Sequence, residues 1–173
     1  MSNDTEPTLK IWPDGRHEWR LNGLLHREDG PAEYHVNGVY ERWWCNGRLH
    51  RLDGPAVSEI SGAKTWAING RYHRLDGPAV IYCNGSRQWY VDGVCHREGK
   101  PAFEGCSGHN EWWYKGKLHR LDGPAVTGPD GEACEWSVWG MPIEGEVADW
   151  VAQRNLTWPW DEQTQLEFLL TWT

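Results

Sequence analysis

Short alternations of apolar and polar residues recur along the first 140 positions, and glycine turns separate them. In one such segment, Ala32, Tyr34 and Val36 alternate with Glu33 and His35. A two-residue period is typical of a half-buried β-strand, because successive side chains of a strand point to opposite faces. The pattern therefore predicts short antiparallel strands joined by tight turns.

Two series of turns alternate along the chain. The first series comprises Asn22-Gly23, Asn46-Gly47, Asn69-Gly70, Asp92-Gly93, Lys115-Gly116 and Trp139-Gly140. The second comprises Asn37-Gly38, Ser61-Gly62, Asn84-Gly85, Ser107-Gly108 and Asp130-Gly131. Asn-Gly and Asp-Gly are strong hairpin signals, because both central positions of a type I′ turn require positive φ. We expect two short strands in each interval between turns of the same series.

A fixed period links these turns. The segment Leu49–Ala56 returns at 72–79 and 118–125, with variants at 25–32 and 95–102. Its histidines, which are spaced by 24, 23, 23 and 23 residues, are His26, His50, His73, His96 and His119. Such a period is the signature of a repeat array. The predicted fold is mostly β: a single elongated antiparallel sheet of β-hairpin repeats over residues 12–143.

The two ends of the chain depart from the repeat. Residues 1–11 are mostly polar and are predicted to be a flexible N-terminus. Residues 144–173 carry apolar side chains at helical spacing, at Val147, Trp150 and Val151 and again at Leu166, Leu169 and Leu170. Helices often cover the open edge of a sheet, so a C-terminal helical cap is predicted, with a partner-docking tail as the alternative.

Tryptophan is the most conspicuous component, with 14 residues in the chain. One stands seven residues before each repeat histidine, at Trp19, Trp43, Trp66, Trp89 and Trp112, and Trp136 opens a sixth unit. These ladder tryptophans are predicted to pack in the core of a thin sheet. Trp44 and Trp113 follow ladder tryptophans directly, so the pleat sends them to the opposite, exposed face. We consider both candidate binding residues.

The repeated His-Arg-x-Asp segment carries the polar chemistry. Stacked repeats would align Arg51, Arg74 and Arg120, which could grip phosphates or the carboxylates of a partner. Alternatively, each aspartate pairs with an arginine and holds its turn together. The fourth unit reads His-Arg-Glu-Gly-Lys-Pro-Ala, so Arg97 loses its usual aspartate and Lys100 adds a charge. Arg97 and Lys100 are therefore predicted as an anion or carboxylate anchor, although Glu98 could take over the pairing.

The charge of the chain limits the classes of molecule that it is expected to bind. The formal net charge is −8, and residues 144–173 contribute −5 of it. This excludes general nucleic-acid binding, which requires a cationic surface. We find no segment with the length and apolar character of a membrane span.

The five cysteines share no place in the repeat and are predicted to be free buried thiols of a cytoplasmic protein.

Catalysis is not predicted. An active site requires one asymmetric arrangement of groups with differing pKa values, whereas the histidine, arginine and aspartate recur in unit after unit. The sequence contains no recognisable nucleophile turn and no phosphate-binding glycine loop. We therefore assign no catalytic residue, no metal site and no cofactor.

The frame Trp-x-x-Asn-Gly-x-x-His, followed by a glycine and a second turn, resembles the MORN repeat between Trp12 and about Gly140. The segment His-Arg-x-Asp-Gly-Pro-Ala departs from the usual His-Gly-x-Gly and is similar to repeats of tailed-phage and bacterial proteins. The resemblance implies a non-enzymatic phage protein that binds and inhibits a host defence protein in the host cytoplasm. Sequestration of an anionic or nucleotide small molecule, and a lipid-surface or structural scaffold, are the alternatives. The negative charge disfavours a lipid surface, and the oligomeric state is open.

Overall fold

Short antiparallel strands make up most of the chain in a computed structural model, which describes residues 5–143 and 145–172. Two short helices follow near the C-terminus. The chain divides into two compact units, one ending at Gly93 and the other beginning at Val94. The predicted mostly β fold, built from antiparallel hairpins with short C-terminal helices, is confirmed.

The strands of the first unit are β1 (Thr8–Ile11), β2 (Arg16–Leu21), β3 (Leu24–Leu25), β4 (Glu33–His35), β5 (Tyr40–Arg42), β6 (Trp44–Cys45), β7 (Arg48–Leu49), β8 (Val57–Glu59), β9 (Lys64–Thr65), β10 (Ala67–Ile68), β11 (Arg71–Tyr72), β12 (Val80–Ile81), β13 (Arg87–Gln88) and β14 (Tyr90–Val91). The order β1-β2-β4-β5-β8-β9-β12-β13 forms an antiparallel sheet, and β3 pairs with β2. The pairs β6-β7 and β10-β11 form separate two-stranded hairpins.

The second unit contains β15 (Val94–Cys95), β16 (Phe103–Glu104), β17 (Asn110–Glu111), β18 (Trp113–Tyr114), β19 (Lys117–Leu118), β20 (Val126–Thr127), β21 (Ala133–Glu135), β22 (Ser137–Val138), β23 (Met141–Pro142), α1 (Val147–Gln153) and α2 (Glu162–Trp172). Here β16-β17-β20-β21 form the sheet, and β18-β19 and β22-β23 form separate hairpins. A repeat thus contains two hairpins, one in the sheet and one separate from it, so the expectation of two strands in each repeat is corrected.

The ladder tryptophan marks the place where the strand is interrupted between these two hairpins. The Trp43 N–H donates to the Ala56 carbonyl at 2.7 Å, while the Trp43 carbonyl accepts from the His50 N–H at 3.0 Å. Its backbone therefore joins the sheet on one side and the separate hairpin on the other. Ala56 is fully buried and Trp43 is half-buried. The core of each repeat consequently lies at this junction.

The turns of the first series have the backbone that their sequence predicts. Asn69 has φ 51° and Gly70 has φ 80°, as a type I′ turn requires. The same positive values occur at Lys115 and even at Trp139, with φ 49° and 54°. A bulky residue rarely adopts this conformation. The repeat geometry therefore imposes the turn even where the local residue does not favour it.

The N-terminus departs from its prediction. Thr8–Ile11 is not a flexible extension but pairs with β2 in antiparallel register, with Leu9 opposite Trp19. The alternation Leu9-Lys10-Ile11 is too short to predict a strand. The sheet therefore begins before residue 12, where the repeat array is predicted to start. Residues 1–4 lie outside the described part of the chain.

The C-terminal tail forms the two short helices that its apolar spacing predicts, α1 and α2. A buried cluster joins them to the last repeat and comprises Val138, Val147, Trp150, Trp160 and Phe168. Asp161 accepts from the Thr164 N–H at 2.8 Å and so caps α2. Glu144, the first residue of the predicted cap, is not among the described residues. The tail packs against the final hairpin of the second unit.

Candidate functional site

The five repeat loops are the most regular surface feature, and they are residues 26–32, 50–56, 73–79, 96–102 and 119–125. Each loop follows a hairpin, β2-β3 for the first loop and a separate two-stranded hairpin for the others, and leads into a strand of the sheet. Backbone hydrogen bonds tie a loop to the hairpin that follows it in the chain. One example is the bond from the Arg51 N–H to the Ala67 carbonyl at 3.0 Å. Repetition therefore places chemically similar side chains at corresponding positions.

The arginine of a repeat loop is held on three sides. The Arg51 Nε donates to Asp53 Oδ1 at 2.8 Å, and one Nη donates to the Pro55 carbonyl at 3.3 Å. Its guanidinium lies 3.9 Å above the ring of Trp43. The third and fifth loops repeat all three contacts, around Arg74 and Arg120. These arginines are structural partners of their own loops rather than free donors.

The glycine of the loop makes this packing possible. A Cβ placed on Gly54 or Gly77 would lie 3.0 Å from the Cζ of its loop arginine. That separation is shorter than the optimal carbon distances of about 3.5–4.0 Å, so the arginine would have to shift. Neither glycine has positive φ, so the requirement is for space rather than for an unusual backbone conformation.

Each loop aspartate neutralises its arginine. The arginine hydrogen bond and its charge lower the pKa of Asp29, Asp53 and Asp76 below the usual aspartate range. These carboxylates therefore stay ionised down to lower pH than ordinary aspartates. The predicted arginine row is thus a row of local ion pairs, in which each aspartate pairs with the arginine of its own unit. This arrangement is the one that the sequence offered as the alternative to a phosphate-gripping or carboxylate-gripping row: each aspartate pairs with an arginine and holds its own turn together.

The loop histidines accept hydrogen bonds from the turn of the next hairpin along the chain. The Nδ1 of His26 accepts from the Asn46 N–H at 3.1 Å, and that of His119 accepts from the Trp139 N–H at 3.2 Å. A ring nitrogen that accepts a hydrogen bond presents its lone pair to the donor. The His119 ring also stacks on Trp139 with centroids 4.3 Å apart. Burial lowers the pKa of His119 below its usual value.

The fourth loop differs from the prediction. Arg97 is not left without a carboxylate, because one Nη donates to Glu104 Oε1 at 2.6 Å and to the Pro101 carbonyl at 3.0 Å. The sequence suggested Glu98 as the substitute and missed Glu104, which lies on β16 rather than in the loop. Lys100 is exposed. The Arg97 guanidinium is therefore already bound to a carboxylate and a backbone carbonyl, and the anion anchor of Arg97 and Lys100 stays a prediction.

The tryptophans predicted to face solvent are half-buried. The Nε1 of Trp44 is enclosed, while the Trp113 Nε1 donates to Glu111 Oε2 at 2.7 Å. The prediction of buried cysteines is wrong for three of them, because Cys83, Cys106 and Cys134 are exposed. Trp44 and Trp113 are therefore less exposed than the pleat predicts, and their role as binding residues stays a prediction.

The most exposed apolar side chains of the repeat loops are two leucines that sequence reasoning passed over. Leu52 is 77% exposed and Leu75 is 79% exposed. They occupy the variable place in His-Arg-x-Asp, where the first loop has Glu28. The sequence does contain a signal, because this position varies between glutamate and leucine while its neighbours recur. An exposed leucine at the same place of two consecutive units suggests a contact surface.

Grooves run beside these leucines. One of about 510 Å³ lies between the second and third loops, with Leu52 and Leu75 on its rims and Trp66 and Ile68 in its lining. A neighbouring groove of about 360 Å³ lies between the first and second loops and includes Trp43 and Cys45. Corresponding positions line both, because the groove is a product of the repeat.

The fifth loop has the same sequence as the second and third but is covered. Leu121 packs against the buried cluster of the tail, and the Trp160 N–H donates to the Asp122 carbonyl at 2.8 Å. The Asp122 side chain is 34% exposed, compared with 80% for Asp53 and 82% for Asp76. The chain therefore contains both the open and the covered form of one surface.

The chain matches no protein-family model, and it is similar to no curated protein at a significant level. Neither described helix has the length and apolar character that crossing a bilayer requires. In residues 5–143 and 145–172, no three histidine, cysteine, aspartate or glutamate side chains gather as a metal site would require. The chemistry of the surface is therefore the basis for a functional proposal.

Proposed function

We propose that this chain is a non-enzymatic binding protein, and that its contact surface is formed by the second and third repeat loops. The observation that carries the proposal is the exposure of Leu52 and Leu75 beside the groove lined by Trp66 and Ile68. Apolar side chains surrounded by ion pairs resemble the apolar centre and polar rim of protein interfaces. A protein is consequently the class of partner that this surface fits best.

The loop contacts favour this proposal over capture of an anion. The guanidinium groups of Arg51 and Arg74 already bind an aspartate and a backbone carbonyl and lie on a tryptophan ring. A phosphate would have to compete with those partners for the same donors. The leucines, by contrast, lose no intramolecular contact when a partner covers them.

Resemblance to repeat proteins of tailed phages narrows the partner further. On that basis we propose a bacterial host protein, with proteins of host defence as the first class to test and inhibition as the outcome of binding. The repeated, internally paired polar groups support binding rather than catalysis, because the second, third and fifth loops hold their arginine and aspartate in the same arrangement.

A double variant tests the surface. Leu52→Asn with Leu75→Asn should weaken capture of a host protein by about tenfold or more, since central apolar contacts dominate interfaces. Ile60→Asn is the matched control, because Ile60 is 76% exposed and lies outside the loops. Capture would be measured by affinity purification from host lysate with quantitative mass spectrometry, and folding by thermal melting. Capture that survives the double change and is lost with Ile60→Asn would contradict the proposed surface.

A further inference from the structure

We infer that the segment which occupies the grooves at Leu52 and Leu75 is a non-helical, tryptophan-containing segment of the partner, similar to residues 156–162 of this chain. The inference rests on the proposed binding function and names the chemistry of the occupant. It follows from a comparison of three loops with one sequence, His-Arg-Leu-Asp-Gly-Pro-Ala, at 50–56, 73–79 and 119–125.

The three loops share their internal geometry. The Arg Nε to Asp Oδ1 distances are 2.8, 2.9 and 2.6 Å in the second, third and fifth loops. The distances from the guanidinium to the tryptophan ring centroid are 3.9, 4.0 and 3.9 Å. The Nη to proline carbonyl distances are 3.3, 3.4 and 3.2 Å. A segment that fits the fifth loop therefore meets the same loop backbone and the same loop side chains at the other two.

The fifth loop shows which contacts its occupant uses. Besides the hydrogen bond from the Trp160 N–H to the Asp122 carbonyl, the Cβ of Trp158 lies 2.8 Å from where a Cβ on Gly123 would stand. The loop glycine thus admits both its own arginine and the approaching segment. Leu121 supplies the apolar contact. The occupant therefore needs an aromatic side chain close to a free backbone N–H.

The second and third loops present the same features without an occupant. Among the described residues, no N–H donates to the carbonyl of Asp53 or of Asp76. The three atoms nearest to where a Cβ would stand on Gly54 or Gly77 all belong to the arginine of the same loop, and none belongs to another segment. Leu52 and Leu75 stand where Leu121 is covered. An acceptor, a glycine gap and an apolar contact are open together in each of these two loops.

One difference limits the likeness. In the sixth unit, which lacks the arginine, Trp160 stacks on Trp136 with ring centroids 5.2 Å apart and an interplanar angle of 16°. Trp66, which lines the groove between the second and third loops, already carries the guanidinium of Arg74. The partner's aromatic ring should therefore contact Leu52 and Leu75 rather than stack on a ladder tryptophan.

A separate partner is favoured over the tail of a second copy. The chain's own Trp158–Trp160 segment is already seated on its own fifth loop, and Trp160 is buried in the cluster with Trp150 and Phe168. Releasing it to reach another copy would expose that cluster. A partner segment faces no such cost.

The probe for this inference is a fluorescein-labelled peptide with the sequence of residues 156–162, Leu-Thr-Trp-Pro-Trp-Asp-Glu, added to the full chain. Fluorescence anisotropy should show saturable binding at or below about 1 mM, the weak end of specific affinity. The Leu52→Asn and Leu75→Asn double variant should weaken binding by about tenfold, whereas Ile60→Asn should leave it unchanged. A peptide with Trp158→Ala and Trp160→Ala should not bind. Absence of saturable binding, or equal binding to the double variant, would overturn the inference.

Competition separates this inference from the proposed function. Excess peptide should release a host protein that depends on Leu52 and Leu75. If that protein stays bound while the peptide fails to bind, the occupant is of another chemistry and the binding surface still holds. If no capture depends on the leucines, the proposed function itself is wrong. Self-association that depends on Leu52, seen by light scattering across concentrations, would overturn the separate partner in favour of a second copy.

Discussion

Replacing Gly77 with alanine should destabilise the first unit by a steric route that a second mutation reverses. The new Cβ would lie 3.0 Å from the Arg74 Cζ and 3.2 Å from its Nε, so the guanidinium must shift by a few tenths of an ångström. That shift would weaken its stack on Trp66, where it lies 4.0 Å from the ring centroid, and its hydrogen bond to the Pro78 carbonyl. The change therefore weakens two contacts without touching either partner directly.

The magnitude follows from those contacts. The stack contributes about 0.5–1 kcal/mol at an exposed site, and the hydrogen bond contributes about 0.5–1.5 kcal/mol. The pair with Asp76 adds little because that carboxylate is fully solvated. Alanine also restricts the unfolded chain, which returns about 0.4–1 kcal/mol. The expected net loss in the free energy of unfolding is therefore at most about 1 kcal/mol.

The decisive measurement is a double-mutant cycle with Arg74→Ala, using urea denaturation followed by tryptophan fluorescence. Without the guanidinium the clash is absent, so Gly77→Ala should become neutral or stabilising by about 0.4–1 kcal/mol. Gly62→Ala is the control, because Gly62 has φ 88° and no neighbour within 4 Å. Its cost should be the same in both backgrounds. An equal cost for Gly77→Ala in both backgrounds would refute the steric explanation.

Two further predictions concern the second unit. Burial lowers the pKa of His119, so the unfolded chain binds a proton there more readily than the folded one. The free energy of unfolding should therefore reach its full value above about pH 6.5 and fall as the pH drops below that value. Urea denaturation at pH 7.5 and at pH 5 should show this fall, and His119→Gln should make it smaller. A fall of the same size in His119→Gln would contradict the prediction. Trp160→Ala should cost about 3–5 kcal/mol by emptying the cluster around Phe168. Chemical denaturation measures this, and a cost below about 1 kcal/mol would mean that the tail does not stabilise the repeat.

Much of the fold is visible in the sequence because it depends on neighbours in the chain. The Asn-Gly pairs predict positive φ at Asn69 and Gly70, and the structure has it. The period of the repeat predicts which residues recur at the same place, and the apolar spacing of the tail predicts α1 and α2. Each of these is set within a few residues by backbone sterics or by helical periodicity.

Sequence reasoning failed where a side chain had to choose among partners distant in sequence. Arg97 pairs with Glu104 on the next strand instead of with a neighbour in its own loop, which a local pattern could not rank. The break at each ladder tryptophan, which splits a repeat into two hairpins, arises because the Trp43 N–H and carbonyl bind different segments. Both depend on which backbones meet after folding.

The candidate surface illustrates the same division in a single motif. His-Arg-Leu-Asp-Gly-Pro-Ala determines its own internal structure three times over, since arginine, aspartate, glycine and proline contact one another within seven residues. It does not determine whether its leucine is exposed. Leu121 is covered because Trp158 and Trp160 return to it from the tail, whereas nothing in the described chain returns to Leu52 or Leu75. Identical sequences thus differ in exposure, because burial depends on what packs against a loop and not on the loop itself.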